Sequence, residues 1–234
     1  MKDAHHLVSK ANTNSILDQK YNTSPKYMSK LWSTKSAQQY IQNNALEYQV
    51  MEGHCGPCTL RNILKSYANI PRQVLPPTSA KPFTPTYWND LLKRIGREHE
   101  CKLPVLEAEI VSGEVDFETW LKEIKSSLQN EKCRVAVNYL RSALVGWKRG
   151  PVIFIPVNSI LSLISGHFSP LVGIIEKDEA NGIDEDLIGV FDVNAEFGAY
   201  LVPAKMLYDS IHVHDLTTGK SRAMVIVKNE GKLD

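Results

Sequence analysis

The stretch Tyr48-Gln-Val-Met-Glu-Gly-His-Cys-Gly-Pro-Cys58, followed by Thr59-Leu-Arg-Asn-Ile-Leu-Lys-Ser-Tyr67, decides how the rest of the chain is read. Proline is favoured in the first turn of a helix. Leu60, Ile63, Leu64 and Tyr67 then recur at helical spacing. The pattern predicts a helix from about Pro57 to Tyr67, with Cys55 standing just before it. A helix N-terminus carries unpaired N–H groups and the positive end of the macrodipole, so it favours an anion. A thiol placed there falls below its ordinary value of about 8.5 and becomes a better nucleophile. Gly56 leaves room for an incoming carbonyl, because it has no Cβ. Gln49, six residues before Cys55, can join the Cys55 amide N–H in holding an oxyanion.

A nucleophilic thiol needs a base, and the base needs an orienter. Downstream, Gly166-His-Phe-Ser-Pro-Leu-Val-Gly173 places His167 beside a glycine and before an apolar run. Asp192 ends a second apolar run, Leu187-Ile-Gly-Val-Phe-Asp192. Taken singly, His167 reads as a satisfied core histidine and Asp192 as an ordinary strand-end carboxylate. Taken as an ordered set, Gln49, Cys55, His167 and Asp192 point to thiol acyl transfer. The other histidines fit less well as bases. His5 and His6 lie in a polar N-terminal stretch, His99 at a charged helix end, and His54 adjoins the nucleophile. His212 and His214 alternate, so on one strand face they could bind a metal, but no third ligand is evident. Cys55-Gly-Pro-Cys58 is also a CxxC, a pattern shared with dithiol redox proteins. Those place it after a strand in a βαβ setting, whereas here a loop precedes it. A structural zinc site would require a second pair, and Cys101 and Cys133 stand alone. Cys58, one turn into the helix, reads as structural.

Working outward, residues 1–26 are polar and read as a tail or arm around the domain. Ser29 to Asn44 reads as one helix, Thr86 to Glu98 as another, and Asp116 to Leu128 as a third. Pro71 to Pro85 is rich in proline and reads as a loop. Beyond residue 130 the pattern becomes short and β-rich. Strands are expected at Arg134–Leu140, Pro151–Pro156, Ser169–Ile175, Leu187–Val193 and Ala223–Val227, with a short helix near Pro203–Ile211. Helices first and strands later argue for an α+β fold rather than alternation.

The chain has 234 residues, enough for one sizeable core. Net charge is +1, which gives no bulk electrostatic support for a nucleic-acid or membrane surface. Four cysteines are too few for a disulfide scaffold of this size, so reduced thiols in a cytoplasmic setting are expected. Met1-Lys-Asp-Ala-His-His-Leu7 lacks a secretory apolar core. Non-classical export would leave no such mark.

These residues resemble the phytochelatin synthase family, short bacterial type. Its members show Gln, then Cys-Gly at a helix start six residues on, then Gly-His-[Phe/Ile]-Ser-Pro, then Asp-Val at a strand end. This chain shows Gln49, Cys55-Gly56, Gly166-His-Phe-Ser-Pro170 and Asp192-Val193 in that order. Val137-Asn-Tyr-Leu-Arg141 is similar to a strand segment of the bacterial members. Asp215-Leu-Thr-Thr-Gly-Lys-Ser-Arg222 is similar to the family's end of domain. The resemblance spans roughly residues 25 to 230 and makes 27–230 the catalytic domain. It implies a papain-like α+β fold, with an N-terminal helical part whose Cys-bearing helix packs on a C-terminal antiparallel sheet. It implies catalytic Cys55, His167 and Asp192, with Gln49 at the oxyanion, and substrate contacts at Gly166, Asp215 and Arg222. Glutathione or a glutathione conjugate would be the donor, glycine the leaving group and γ-glutamylcysteinyl-Cys55 the intermediate. Asp215 and Arg222 would take the ammonium and carboxylate of the γ-glutamyl end, although a plain strand-end salt bridge describes them as well. No cofactor is required for hydrolysis. Cd or Zn would enter as a glutathione thiolate in transpeptidation, and a homodimer is left open.

The chain departs from the family in three places. Members usually carry Arg three residues after the triad Asp, where this chain has Ala195. Some fifteen additional apolar residues lie between Arg149 and Gly166. The Cys-rich C-terminal half of the plant proteins, associated with metal sensing, has no counterpart. Short members are expected to favour hydrolysis to γ-Glu-Cys over polymerisation. Two other readings stand beside this one: a papain-like protein peptidase or deconjugase, and a non-enzymatic metal or redox module built on Cys55, Cys58, His212 and His214.

Overall fold

A computed structural model describes residues 16–51, 53–67, 85–98, 106–145, 166–215 and 219–230. The expected strand Pro151–Pro156, the added apolar segment before Gly166 and most of the Pro71–Pro85 loop lie outside them. So do Cys101, His5, His6 and His99.

Eight α-helices are described: α1 (Lys20–Thr23), α2 (Pro25–Trp32), α3 (Lys35–Gln42), α4 (Cys55–Ser66), α5 (Pro85–Glu98), α6 (Phe117–Gln129), α7 (Arg141–Val145) and α8 (Ala204–His212). The strands are β1 (Leu106–Ser112), β2 (Cys133–Tyr139), β3 (His167–Ile175), β4 (Leu187–Phe191), β5 (Ala199–Pro203) and β6 (Ala223–Asn229). They form one six-stranded sheet in the order β1-β6-β2-β3-β4-β5, every neighbouring pair antiparallel. The architecture is α+β.

Helices cover both faces of the sheet. On one face Trp120 and Ile124 of α6 and Leu207 and Ile211 of α8 meet Val135, Val137, Ile188, Val190, Met224 and Ile226. On the other, Leu60, Ile63 and Leu64 of α4 and Trp88, Leu91 and Leu92 of α5 meet Ala136, Phe168, Val225 and Val227. Leu31 of α2, Tyr40 of α3 and Cys58 of α4 continue that face against Val172, Leu187 and Leu201. This explains why β2, β3 and β4 read as nearly continuous apolar runs: both sets of side chains are buried, each contributing about 1.5–3 kcal/mol for a large aliphatic. The Cys-bearing helix packs on the antiparallel sheet, as expected, and α6 and α8 add a third layer on the opposite face.

Three expectations need correction. The single helix expected over Ser29–Asn44 is two, broken at Ser33-Thr34. Thr34 accepts the Ala37 N–H as N-cap of α3 while donating to the Leu31 carbonyl, so its hydroxyl ends one helix and starts the next. The nucleophile helix begins at Cys55 itself, earlier than Pro57. His212 and His214 do not share a strand: His212 closes α8, and His214 forms an isolated bridge with Ser221. The His212 ring instead bonds the Gly113 carbonyl through Nδ1, at 2.7 Å. Among the described residues, no group of three or more metal-ligating side chains assembles, and no helix is long and apolar enough to cross a membrane.

The described part of the N-terminal arm lies on the domain. Ile16 is fully buried in the core. Asn22 donates to the Leu201 carbonyl and accepts the Leu201 N–H, so a side-chain amide completes the outer edge of β5.

Candidate active site

The site forms at the end of the sheet where β3 begins and β2 and β4 finish. Cys55 is the first residue of α4 and is half-buried. Gly53, at φ +81°, makes the turn that brings the chain into the helix, a conformation side chains resist. The Thr59 hydroxyl, one turn into α4, donates to the Phe168 carbonyl at 3.0 Å and fixes the helix against the start of β3. His167, the first residue of β3, stands beside the Cys55 thiol, close enough for each to stabilise the charged form of the other. Its Nε2 meets Asp192 Oδ1 at 2.8 Å. Since Nε2 is held by the carboxylate, Nδ1 is the nitrogen left for sulfur. Gly166 precedes His167 because a Cβ there would collide with Asn138 Oδ1 on the neighbouring strand.

Asp192 is wholly buried and well satisfied. Its Oδ1 also accepts the Asn194 N–H at 2.8 Å, and its Oδ2 accepts the Tyr139 hydroxyl at 3.2 Å. That hydroxyl lies 2.9 Å from the Tyr200 hydroxyl and 3.2 Å from Ser169 Oγ. The Tyr139 ring meets the imidazole edge-on. Arg141 Nη1 stands 4.0 Å from Asp192 Oδ1, and its guanidinium lies over the Phe197 ring.

Two opposed effects set the charges. Burial pushes the Cys55 thiol up. The charge and hydrogen bond of His167, with backbone N–H groups of Phe168 and Gly56, outweigh it and leave the thiol below its ordinary value. Burial likewise drives His167 down, but the Asp192 carboxylate and the Cys55 sulfur outweigh it and raise the imidazole to about 9. Burial raises Asp192, and the His167 charge more than reverses that. The arrangement favours a thiolate–imidazolium pair backed by a carboxylate.

Gln49 reaches the site through its backbone: its N–H donates to the Val193 carbonyl at 2.7 Å, beside Asp192. Its Oε1 is buried with no partner among the described residues. Asp215 and Arg222 lie at the same end of the sheet, on the far side of β2 from His167. Arg222 is buried and donates through Nη1 to the carbonyls of Val213 and His214, at the C-terminal end of α8. Burial lowers its basicity and the Asp215 charge opposes that. Those bonds match the role of a helix-end cation. Cys58 is buried on α4, and its Sγ donates to the Glu47 carbonyl at 3.3 Å. A cavity of about 390 Å³ lined by Lys30, Thr34, Ile175, Lys177 and Asp178 sits at the opposite end of β3, away from this chemistry.

Sequence reasoning gave Tyr139, Ser169, Tyr200 and Arg141 no role, although the stretches Val137–Arg141 and Gly166–Pro170 contain three of them. A usable signal exists: Tyr139 ends its strand with a hydroxyl-bearing ring, and Arg141 follows two residues on.

No model of a known protein family matches the chain, and no significant match to a curated protein is found.

Proposed function

We propose that the chain is a papain-like cysteine enzyme that cleaves the Cys–Gly amide of glutathione or a glutathione conjugate. The observation that carries this reading is the Cys55–His167–Asp192 constellation at a helix N-terminus. The Cys55 thiolate attacks the cysteinyl carbonyl, and the Cys55 N–H with the Gln49 amide takes the oxyanion. The His167 imidazolium gives its proton to the glycine nitrogen as the C–N bond breaks. γ-Glutamylcysteine is left as a thioester on Cys55. His167, now neutral, takes a proton from water, which attacks the thioester and restores the thiolate. A second glutathione amine replacing water gives a γ-glutamylcysteinyl transfer product. Asp192 holds the imidazole in the required tautomer. The sequence resemblance supplies the choice of glutathione, with Gly166, Asp215 and Arg222 at the donor's edges.

A second reading has a specific observation in its favour. Tyr48, Val50 and Met51, flanking Gln49, are exposed apolar side chains. They suit a donor with an apolar body, such as a protein segment handled by a peptidase or deconjugase.

The test is to incubate the chain with glutathione and with S-alkyl glutathione, with and without Cd²⁺ or Zn²⁺, and separate the products. Glycine and γ-Glu-Cys are expected, and a rapid quench should trap the acyl group on Cys55. Cys55→Ser should abolish glycine release, while Cys58→Ser keeps most of it. No glycine from either donor, or release that survives Cys55→Ser, overturns the proposal. Peptide cleavage alone selects the second reading.

A further inference from the structure

Cys58 takes no part in the acyl transfer, yet it shares the first turn of α4 with the nucleophile. Helical geometry puts the Cα atoms of residues three apart at about 5 Å. A disulfide requires roughly 4.4–6.8 Å between Cα atoms, a condition that Cys55 and Cys58 meet. Both thiols belong to the same apolar cluster beneath β3 and β4. Cys133, by contrast, lies in the cluster on the other face of the sheet.

The two thiols are unlike. Cys55 is half-buried and held below the ordinary thiol value. Cys58 is 1% exposed, and burial, then the Glu47 carboxylate, push it up to about 12. The half-buried thiol is the more readily ionised, and the shielded one holds its proton. Turning Cys58 toward Cys55 would release the Glu47 carbonyl, but that carbonyl keeps a second donor, Asn62 Nδ2, at 3.1 Å. No buried acceptor is left bare by the move.

We propose that Cys55 and Cys58 form a dithiol–disulfide couple that exchanges with low-molecular-weight disulfides, and that its oxidised form closes the nucleophile. In the first step the Cys55 thiolate attacks one sulfur of R–S–S–R. The S–S bond breaks, a Cys55–S–S–R bond forms, and the departing thiolate takes the proton held by His167. In the second step Cys58 sulfur attacks Cys55 sulfur, and the second R–S group leaves with the Cys58 proton. Two protein thiols are oxidised and one disulfide is reduced to two thiols, so electrons and protons balance. The inference needs the activated Cys55 but not glutathione as acyl donor.

The test is thiol mapping of the full chain. The protein is incubated with glutathione disulfide, its free thiols are then blocked with N-ethylmaleimide, and peptides are analysed by mass spectrometry. A Cys55–Cys58 disulfide lacking any glutathione is expected, with alkylation of Cys55 reduced about tenfold or more and restored by dithiothreitol. Hydroxyethyl disulfide should give the same product. Cys58→Ala, or Cys58→Ser should the first fold poorly by circular dichroism, should instead retain the glutathione adduct on Cys55. A stable adduct on Cys55 in the unaltered chain would overturn the couple, as would full alkylation of Cys55 under conditions that place the adduct on Cys58→Ala. A chain that forms the disulfide yet, fully reduced, releases no glycine sinks the acyl-transfer reading and leaves this one standing. The reverse result does the opposite.

Discussion

The charges at Cys55 and His167 determine a pH window. Cys55 lies below its ordinary value and His167 at about 9. On the acid side, activity should rise as the thiolate forms. On the alkaline side it should fall near pH 9, because a neutral His167 has no proton for the leaving amine. The profile of kcat/KM for glycine release is therefore expected to be bell-shaped, with its alkaline limb near 9. An alkaline limb near 7 would contradict the His167–Asp192 coupling. Tyr139 is the second residue to probe. Tyr139→Phe leaves Asp192 Oδ2 without its hydroxyl donor in a buried site, which should cost about 1–3 kcal/mol in urea unfolding. An unchanged midpoint would deny that bond any weight. Cys55, His167 and Asp192 were legible in the sequence as an ordered set, a helix start, a glycine-histidine and a strand end, although His167 and Asp192 taken singly read as structural. Tyr139, Ser169 and Tyr200 were not legible. They converge on Asp192 only through the register of β2, β3, β4 and β5, which no local pattern states.

At the scale of elements, Gly173 and Gly189 face each other across β3 and β4 and leave a notch in the sheet. Leu31 of α2 and Thr34 fill it: a Cβ on Gly189 would collide with Leu31 Cδ1, and one on Gly173 with Thr34 Oγ1. Gly189→Ala should destabilise the fold by about 1–3 kcal/mol through overpacking. Adding Leu31→Ala should return part of that loss, giving a measurable coupling in a double-mutant cycle of urea midpoints. Strict additivity would mean the notch and Leu31 are energetically independent. The same scale shows which elements the sequence concealed. The strands that went unread, β1 and β5, are the two edges of the sheet. Glu107 and Glu109 interrupt β1, which is only partly buried, and β5 is five residues ending in Pro203. Charge and proline suit an edge strand and mask it as a strand. The helix break at Thr34 was likewise hidden, because its hydroxyl serves both neighbours.

At the scale of the molecule, the α+β class was legible from the shift in periodicity near residue 130, while the three-layer arrangement was not. Helices α6 and α8 look, in sequence, like any other amphipathic segments; only the sheet order assigns them to the face opposite α4. That order also bears on how the molecule comes together in time. β6, the last strand along the chain, occupies an interior slot between β1 and β2. Among the described strands β1 pairs with β6 alone, so as the chain is made that pairing waits for residues 223–229, although β2, β3, β4 and β5 can already pair in sequence. Assembly should therefore proceed in two stages, an early four-stranded meander and a late insertion that closes long-range contacts and sets the slow step. We expect pulsed hydrogen exchange during refolding to protect amides of β3 and β4 before those of β1. Protection of β1 in the same phase would contradict this order. Until β6 arrives, β2 presents an open edge that another chain could fill, so crowding at that moment is where the molecule is most exposed to misassembly.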